Sequence, residues 1–88
     1  MKVLKQKILG QNIAKLREAK GLTQEQVVAK LQVMGSPISR STYSGIEIGR
    51  GNIFVSDLVG LQRIFQVPYE RFFENIEPSR SGRNQEDE

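Results

Sequence analysis

Residues 22–49, LTQEQVVAKLQVMGSPISRSTYSGIEIG, carry two helix starts and two helix stops in close succession. Thr23 can cap a first helix, and Gln26, three residues on, can reach back to the cap backbone in a capping box. Leu22 and Val27 flank that cap as a hydrophobic staple. Ser39 repeats the pattern for a second helix, with Ile38 and Tyr43 as its staple, and Gly49 supplies a left-handed stop. Between them, QVMGSP holds a glycine and a proline; Pro37 forbids helix at that point and extends Ser36. The pair reads as helix 2 over Gln24–Gln32 and helix 3 over Arg40–Ile48. Val27, Val28, Leu31, Tyr43 and Ile46 turn inward, and Arg40, Ser41 and Ser44 turn outward. A short, exposed, non-acidic helix propped on a second one has the shape that fits a DNA major groove.

Working outward, Leu9, Ile13 and Leu16 form one apolar stripe, which predicts helix 1 over Lys7–Ala19, ended by Gly21. Past Gly49, Ser56 as N-cap and Asp57 in the first turn predict a fourth helix with Leu58, Leu61, Ile64 and Phe65 inside. Pro68 opens a fifth, short helix over YERFFEN, anchored by Phe72 and Phe73. Residues 1–6 read as a basic arm or a helix extension, 7–76 as the folded domain. Residues 77–88, EPSRSGRNQEDE, have too little apolar surface to order themselves and read as a disordered tail.

Composition narrows the function. The 88 residues contain no Cys and no His, so disulfides, thiolate metal sites and the commonest general base at neutral pH are missing. That argues against an enzyme, a metal site or any cofactor. No apolar run reaches the ~20 residues of a membrane span, and the N-terminus has no secretory apolar block. The expectation is a cytoplasmic protein. Net charge is +3 and unevenly spread: residues 1–52 hold nine Lys/Arg against three Asp/Glu, residues 53–88 four against seven. A basic half is drawn to a polyanion; a chance split on a soluble surface is the plain alternative.

These residues together resemble the phage-repressor and Cro-like helix-turn-helix family, regulators of the xenobiotic-response-element type. The resemblance runs from Ile8 to about Glu74. It rests on Ile13 and Leu16-Arg17, on Gly21-Leu22-Thr23-Gln24-Glu25-Gln26, and on Leu31 with Ile38 through Glu47. Gly49, Leu58, Leu61, Phe72 and Phe73 complete it. It implies an all-α, compact five-helix, lambda-repressor-like DNA-binding domain whose helices 2 and 3 form the helix-turn-helix.

Roles follow by position. Arg40, Ser41, Ser44 and Gly45 match base-contacting positions. Gln24, Ser39, Thr42, Arg50 and Asn52 match phosphate contacts, Ser39 being needed also as a cap. Arg17 and Glu47 match a structural salt bridge. Lys7 and Lys20 add general attraction to a polyanion. The implied function is a sequence-specific, double-stranded DNA-binding transcriptional regulator of repressor type, acting as a homodimer. Phe54, Phe65 and Phe73 are candidates for the dimer surface, with core burial the competing role. An antitoxin-like or other protein-binding module, with the acidic QEDE end engaging a small protein partner, is the alternative.

Three departures from the family pattern stand out. The corner between helices 2 and 3 is about five residues longer than usual. Val28 occupies a position where relatives carry a small residue, so the helix crossing is expected to widen or rotate. Ile48 replaces a polar residue beside Gly49.

Overall fold

A computed structural model of the chain describes residues 3–4 and 7–78, and side chains from residue 7 onward. In chain order the elements are β1 (Val3–Leu4), α1 (Lys7–Ala19), α2 (Gln24–Val33), α3 (Arg40–Glu47), β2 (Ile53–Phe54) and α4 (Val55–Phe65). A 3₁₀ helix over Tyr69–Phe73 ends the series. No helix among the described residues is long and apolar enough to cross a membrane.

The local start signals operate as the sequence suggests. Thr23 Oγ1 accepts the Gln26 N–H at 3.1 Å while Gln26 Oε1 accepts the Thr23 N–H at 2.8 Å. Ser39 Oγ accepts the Thr42 N–H at 3.2 Å. The long corner is an ordered structure. Helix α2 gains Val33, and Gly35 then takes a left-handed φ of 104°. The Gly35 N–H bonds back to Gln32 O and the Ser36 N–H to Leu31 O, a Schellman closure. Ser36 Oγ accepts the Ile38 N–H, and Gln32 Nε2 donates to Ile38 O at 2.9 Å. The extra residues thus carry their own hydrogen bonds and deliver the chain to the Ser39 cap.

The core gathers Leu9, Ile13 and Leu16 of α1, Val27, Val28 and Leu31 of α2, and Tyr43 and Ile46 of α3. Ile53, the inner face of α4 and Phe72 close it. Phe65 and Phe72 stack with ring centroids 6.1 Å apart. Close packing is set by glycines as well as by large side chains. At Gly60 an added Cβ would sit 2.8 Å from Leu31 Cδ2, so α4 accepts α2 over a bare backbone. Val28 is buried in the core. At Gly10 an added Cβ would overlap the Ile46 carbonyl oxygen and lie 2.7 Å from Glu47 O. Helix α1 therefore touches the last turn of α3 backbone to backbone.

Several expectations are corrected. The described residues form four α-helices, not five: the YERFF segment is a 3₁₀ turn. Asn12, buried on α1, donates through Nδ2 to Phe72 O at 2.9 Å and Glu74 O at 2.8 Å. The turn closes through the Arg71 N–H to Pro68 O, and the Asn12 bonds hold its last carbonyls against α1. Phe72 is the buried anchor, and Phe73 faces out. Phe65 is core, which removes it as a dimer contact, while Phe54 and Phe73 are exposed. Ser56 does not cap α4. Phe54, held extended by β-pairing, occupies that position without a side-chain bond, and the helix starts two residues earlier than a Ser56 cap would give. Glu47 is the last residue of α3, and Ile48 is its exposed cap. Val3–Leu4 pairs antiparallel with Ile53–Phe54 and is neither free arm nor helical turn. Of the expected tail, residues 79–88 lie outside the described residues.

Gly10→Ala should cost about 1–3 kcal/mol in chemical denaturation, although alanine is the better helix former. Because the obstacle is the backbone of α3, the loss should exceed that of an Ala substitution at exposed Lys15 on the same helix. Equal stabilities would show that α1 and α3 do not cross as closely as described.

Candidate nucleic-acid interface

Helix α3 is divided along its length. Tyr43, Ile46 and Glu47 are buried; Arg40, Ser41 and Thr42 are exposed; Ser44 and Gly45 are partly exposed. The end of the helix is fixed by Gly49, whose φ of 80° lets its N–H reach Ile46 O and the Arg50 N–H reach Gly45 O. A Cβ at Gly49 would also meet Lys7 Cα at 2.7 Å, so the stop is seated against the start of α1.

An ion pair holds the buried side. Arg17 Nε donates to Glu47 Oε2 at 2.7 Å and Nη2 to Oε1 at 3.1 Å, a two-pronged contact. Arg17 Nη1 donates to Leu22 O at 2.9 Å, so the same guanidinium ties α1, the α1–α2 corner and α3. The side chains are 13% and 5% exposed, respectively. Burial alone would raise the Glu47 pKa. Hydrogen bonds from Arg17 and Gln24, the nearby Tyr43 hydroxyl and the Arg17 charge outweigh it and leave the carboxyl below the usual glutamate value. The Arg17 pKa moves up, chiefly through its hydrogen bond to Glu47. Tyr43 is fully buried; that burial first, then Glu47, raises its pKa well above the ordinary tyrosine value. Its hydroxyl lies by the carboxylate but finds no partner in good hydrogen-bond geometry.

Gln24 extends the network outward. Its Nε2 donates to Glu47 Oε1 at 2.8 Å, and its Oε1 accepts from Arg40 Nε at 3.3 Å. The amide fits this way round only, since a carboxylate must accept and a guanidinium must donate. Arg40 Nη1 also lies 3.7 Å from Glu25 Oε2. A continuous polar chain therefore runs from Arg17 on α1 through Glu47 and Gln24 to Arg40 at the start of α3.

The remaining site residues fall around this edge. Ser39 Oγ is committed to its cap and donates to Thr42 Oγ1 at 3.0 Å. Arg50 and Asn52, just past α3, are exposed, and their side chains make no hydrogen bond or ion pair among the described residues. Lys20 Nζ donates to Gln66 Oε1, and Lys7 is exposed. The sequence reading did not single out Glu25, Asn12 or Gly10. Glu25 carries only the general signal of an acid in the first turn of a helix.

A family model described as a helix-turn-helix domain matches residues 8–71, most of the chain. The chain belongs to the helix-turn-helix family. Among solved structures it is similar to the restriction-modification controller protein C.AhdI from Aeromonas hydrophila. The two share 27% identity over 76% of this chain and 94% of that one, with a TM-score of 0.65. No curated protein sequence matches closely enough to count as a relative. The Cro-like arrangement expected from the residues is thus found, and the helix-turn-helix protein described here is a DNA-binding, transcription-regulating one.

Glu47→Gln should cost stability at neutral pH, because it leaves a guanidinium of low exposure without its counter-charge; the expected loss is about 3–5 kcal/mol. A carboxyl with a lowered folded-state pKa contributes stability above its unfolded value, 4.5, and loses it as pH falls through the folded value. The gap between wild type and E47Q in urea midpoint should therefore be constant above that pH and shrink below it. A gap independent of pH would mean that Glu47 is not ionised against Arg17.

Proposed function

We propose that the protein is a sequence-specific regulator of transcription, repressor-like, that binds double-stranded DNA as a homodimer with α3 in the major groove. The observation that carries this reading is the division of α3: one side locked to α1 and α2 by Arg17, Glu47 and Gln24, the other open with Arg40 and Ser41 outermost. A guanidinium can engage guanine O6 and N7 together, which makes Arg40 the main base reader. Ser41 and Ser44 add weaker discrimination. Gly45 offers its backbone for close approach, and its Cβ position meets nothing nearer than 3.8 Å.

Phosphate contacts surround this surface. The N-terminus of α2 presents the unpaired N–H groups of its first turn to an anion, beside Gln24. Arg50 and Asn52 are unengaged on the far side of α3. Thr42 keeps its hydroxyl proton to donate after accepting from Ser39; Ser39, already donor and acceptor inside the cap, is the weakest of the five. Sequence-dependent DNA shape supplies part of the specificity that so few base contacts leave open.

One short helix reads only a few base pairs, and two half-sites about one DNA turn apart are the geometric remedy. Phe54 and Val55 are exposed side by side, and Phe54 stands between two shallow depressions that share Pro37 and Asp57. That apolar spot is the proposed contact with a second copy. C.AhdI is a restriction-modification controller protein, and its likeness over nearly its whole chain supports the reading of this protein as a regulator.

Selection of bound duplexes from a random pool should yield paired half-sites with a fixed spacing. On the selected duplex, Arg40→Ala should relax discrimination at one base pair by ~1–3 kcal/mol. Gly45→Ala should raise helix stability by about 0.5–1 kcal/mol while weakening cognate binding. Uniform loss on all sequences for R40A would assign Arg40 to phosphate, and undiminished binding by G45A would remove that turn of α3 from the groove.

A further inference from the structure

We propose that Glu25 is a positioning residue that brakes base reading: its carboxylate holds the Arg40 guanidinium in the free protein and must release it before Arg40 can take a guanine edge. The proposal rests on the reading of Arg40 as a groove-facing base reader.

Arg40 opens α3, and its guanidinium lies back toward the first turn of α2. There Gln24 Oε1 accepts from Nε at 3.3 Å, and the Glu25 carboxylate lies 3.7 Å from Nη1. The two acceptors differ in what they can do. Gln24 is anchored on its other side to Glu47, itself held by Arg17, so it is a fixed post. Glu25 is 81% exposed and makes no other ion pair or side-chain hydrogen bond among the described residues. Arg40 is itself 56% exposed. Ion pairs this open are weak and salt-screened. The hold on Arg40 is therefore one that a better acceptor can take over.

A guanine edge is such an acceptor, because O6 and N7 match the guanidinium fork in a way one carboxylate oxygen at 3.7 Å does not. A phosphate could also draw Arg40 away. A phosphate arriving at the α2 N-terminus, however, meets the Glu25 charge in the same first turn. Glu25 therefore acts on the two kinds of partner differently. It opposes backbone contact everywhere, and its hold on Arg40 is given up, at a cost, only where guanine replaces it. The basic residues of the N-terminal half attract any duplex, and the Glu25 charge offsets part of that pull on all of them alike, whereas the cost of releasing Arg40 falls on the guanine-bearing site and lowers cognate affinity most.

The test is a cycle of four proteins: wild type, Glu25→Gln, Arg40→Ala and the double variant. Each is titrated with the selected duplex, with that duplex altered at the Arg40-dependent base pair, and with random-sequence duplex, all at one salt concentration. E25Q keeps the side chain's size at an exposed position. It should tighten binding to the selected duplex by about three- to tenfold and to random duplex by less, so the specificity ratio rises. In the R40A background the same substitution should shift all three duplexes by one common factor. Equal tightening on every duplex in the wild-type background, or no change on any, would overturn the proposal. So would a loss of discrimination at another base pair that persists without Arg40, since Glu25 would then be reading a base itself. R40A that discriminates as wild type does would overturn the assignment of Arg40 to bases, and this inference with it. That outcome is separate from an R40A-sensitive protein whose ratio ignores Glu25.

Discussion

Arg17 and Glu47 are thirty residues apart in sequence, and their charges meet at 2.7 Å with little access to water. Withdrawing two charges from solvent is costly, and the return depends on geometry and on neighbours that satisfy the remaining lone pairs and protons. Here the contact is two-pronged, Gln24 occupies one carboxylate oxygen, and Leu22 O takes a further guanidinium proton. The arrangement specifies more than it stabilises. Glu47 is the last residue of α3, so fixing it to α1 fixes the direction in which the helix projects. Gly10 makes the same junction possible from the backbone side, by letting α1 lie against the Ile46 and Glu47 carbonyls. The inner side of α3 is thus both charge-locked to α1 and sterically seated on it.

The polar chain also links the scaffold to the interface. Arg17, Glu47, Gln24 and Arg40 are joined in order, so the side chain assigned to base recognition is indirectly oriented by the buried pair. Gln24 then has two functions at once. It stands beside the α2 N-terminus proposed to meet phosphate, and it is a spacer that sets where Arg40 begins its reach. A helix-turn-helix protein with few base-reading side chains benefits from holding each of them in place, because less conformational entropy is lost on binding.

Much of this was legible in the sequence, and what was legible was local. The capping box at Thr23 and Gln26, the Ser39 cap and the Gly49 stop involve residues within a turn of one another, and each functions as its spacing suggests. The boundaries of α1 follow from one apolar stripe and a glycine. The Arg17–Glu47 pair came through resemblance to a family pattern, since nothing in either residue's neighbourhood announces a partner thirty positions away. The features that were missed are all non-local. Gly10 looks like a helix weakness until the α3 carbonyls are placed above it. Asn12 looks like a surface polar residue until its two acceptors, Phe72 O and Glu74 O, are known, and those bonds hold the end of the 3₁₀ turn against α1. Ser56 looks like a cap, but β1 pairs with β2 and hands that position to Phe54. The choice between Phe72 and Phe73 as anchor depended on the same unseen contact.

The central claim is that the face of α3 opposite the Arg17–Glu47 pair enters DNA, with the first turn of α2 and the residues after α3 on the flanking backbone. Amide chemical-shift mapping of the labelled protein, titrated with the selected duplex, tests it most directly. The account predicts that the largest shifts fall on Gln24, on Arg40 through Gly45, and on Arg50 and Asn52, with Val33, Arg63 and Tyr69 unmoved. Shifts concentrated on the α4 and 3₁₀-helix side, with α3 silent, would contradict it.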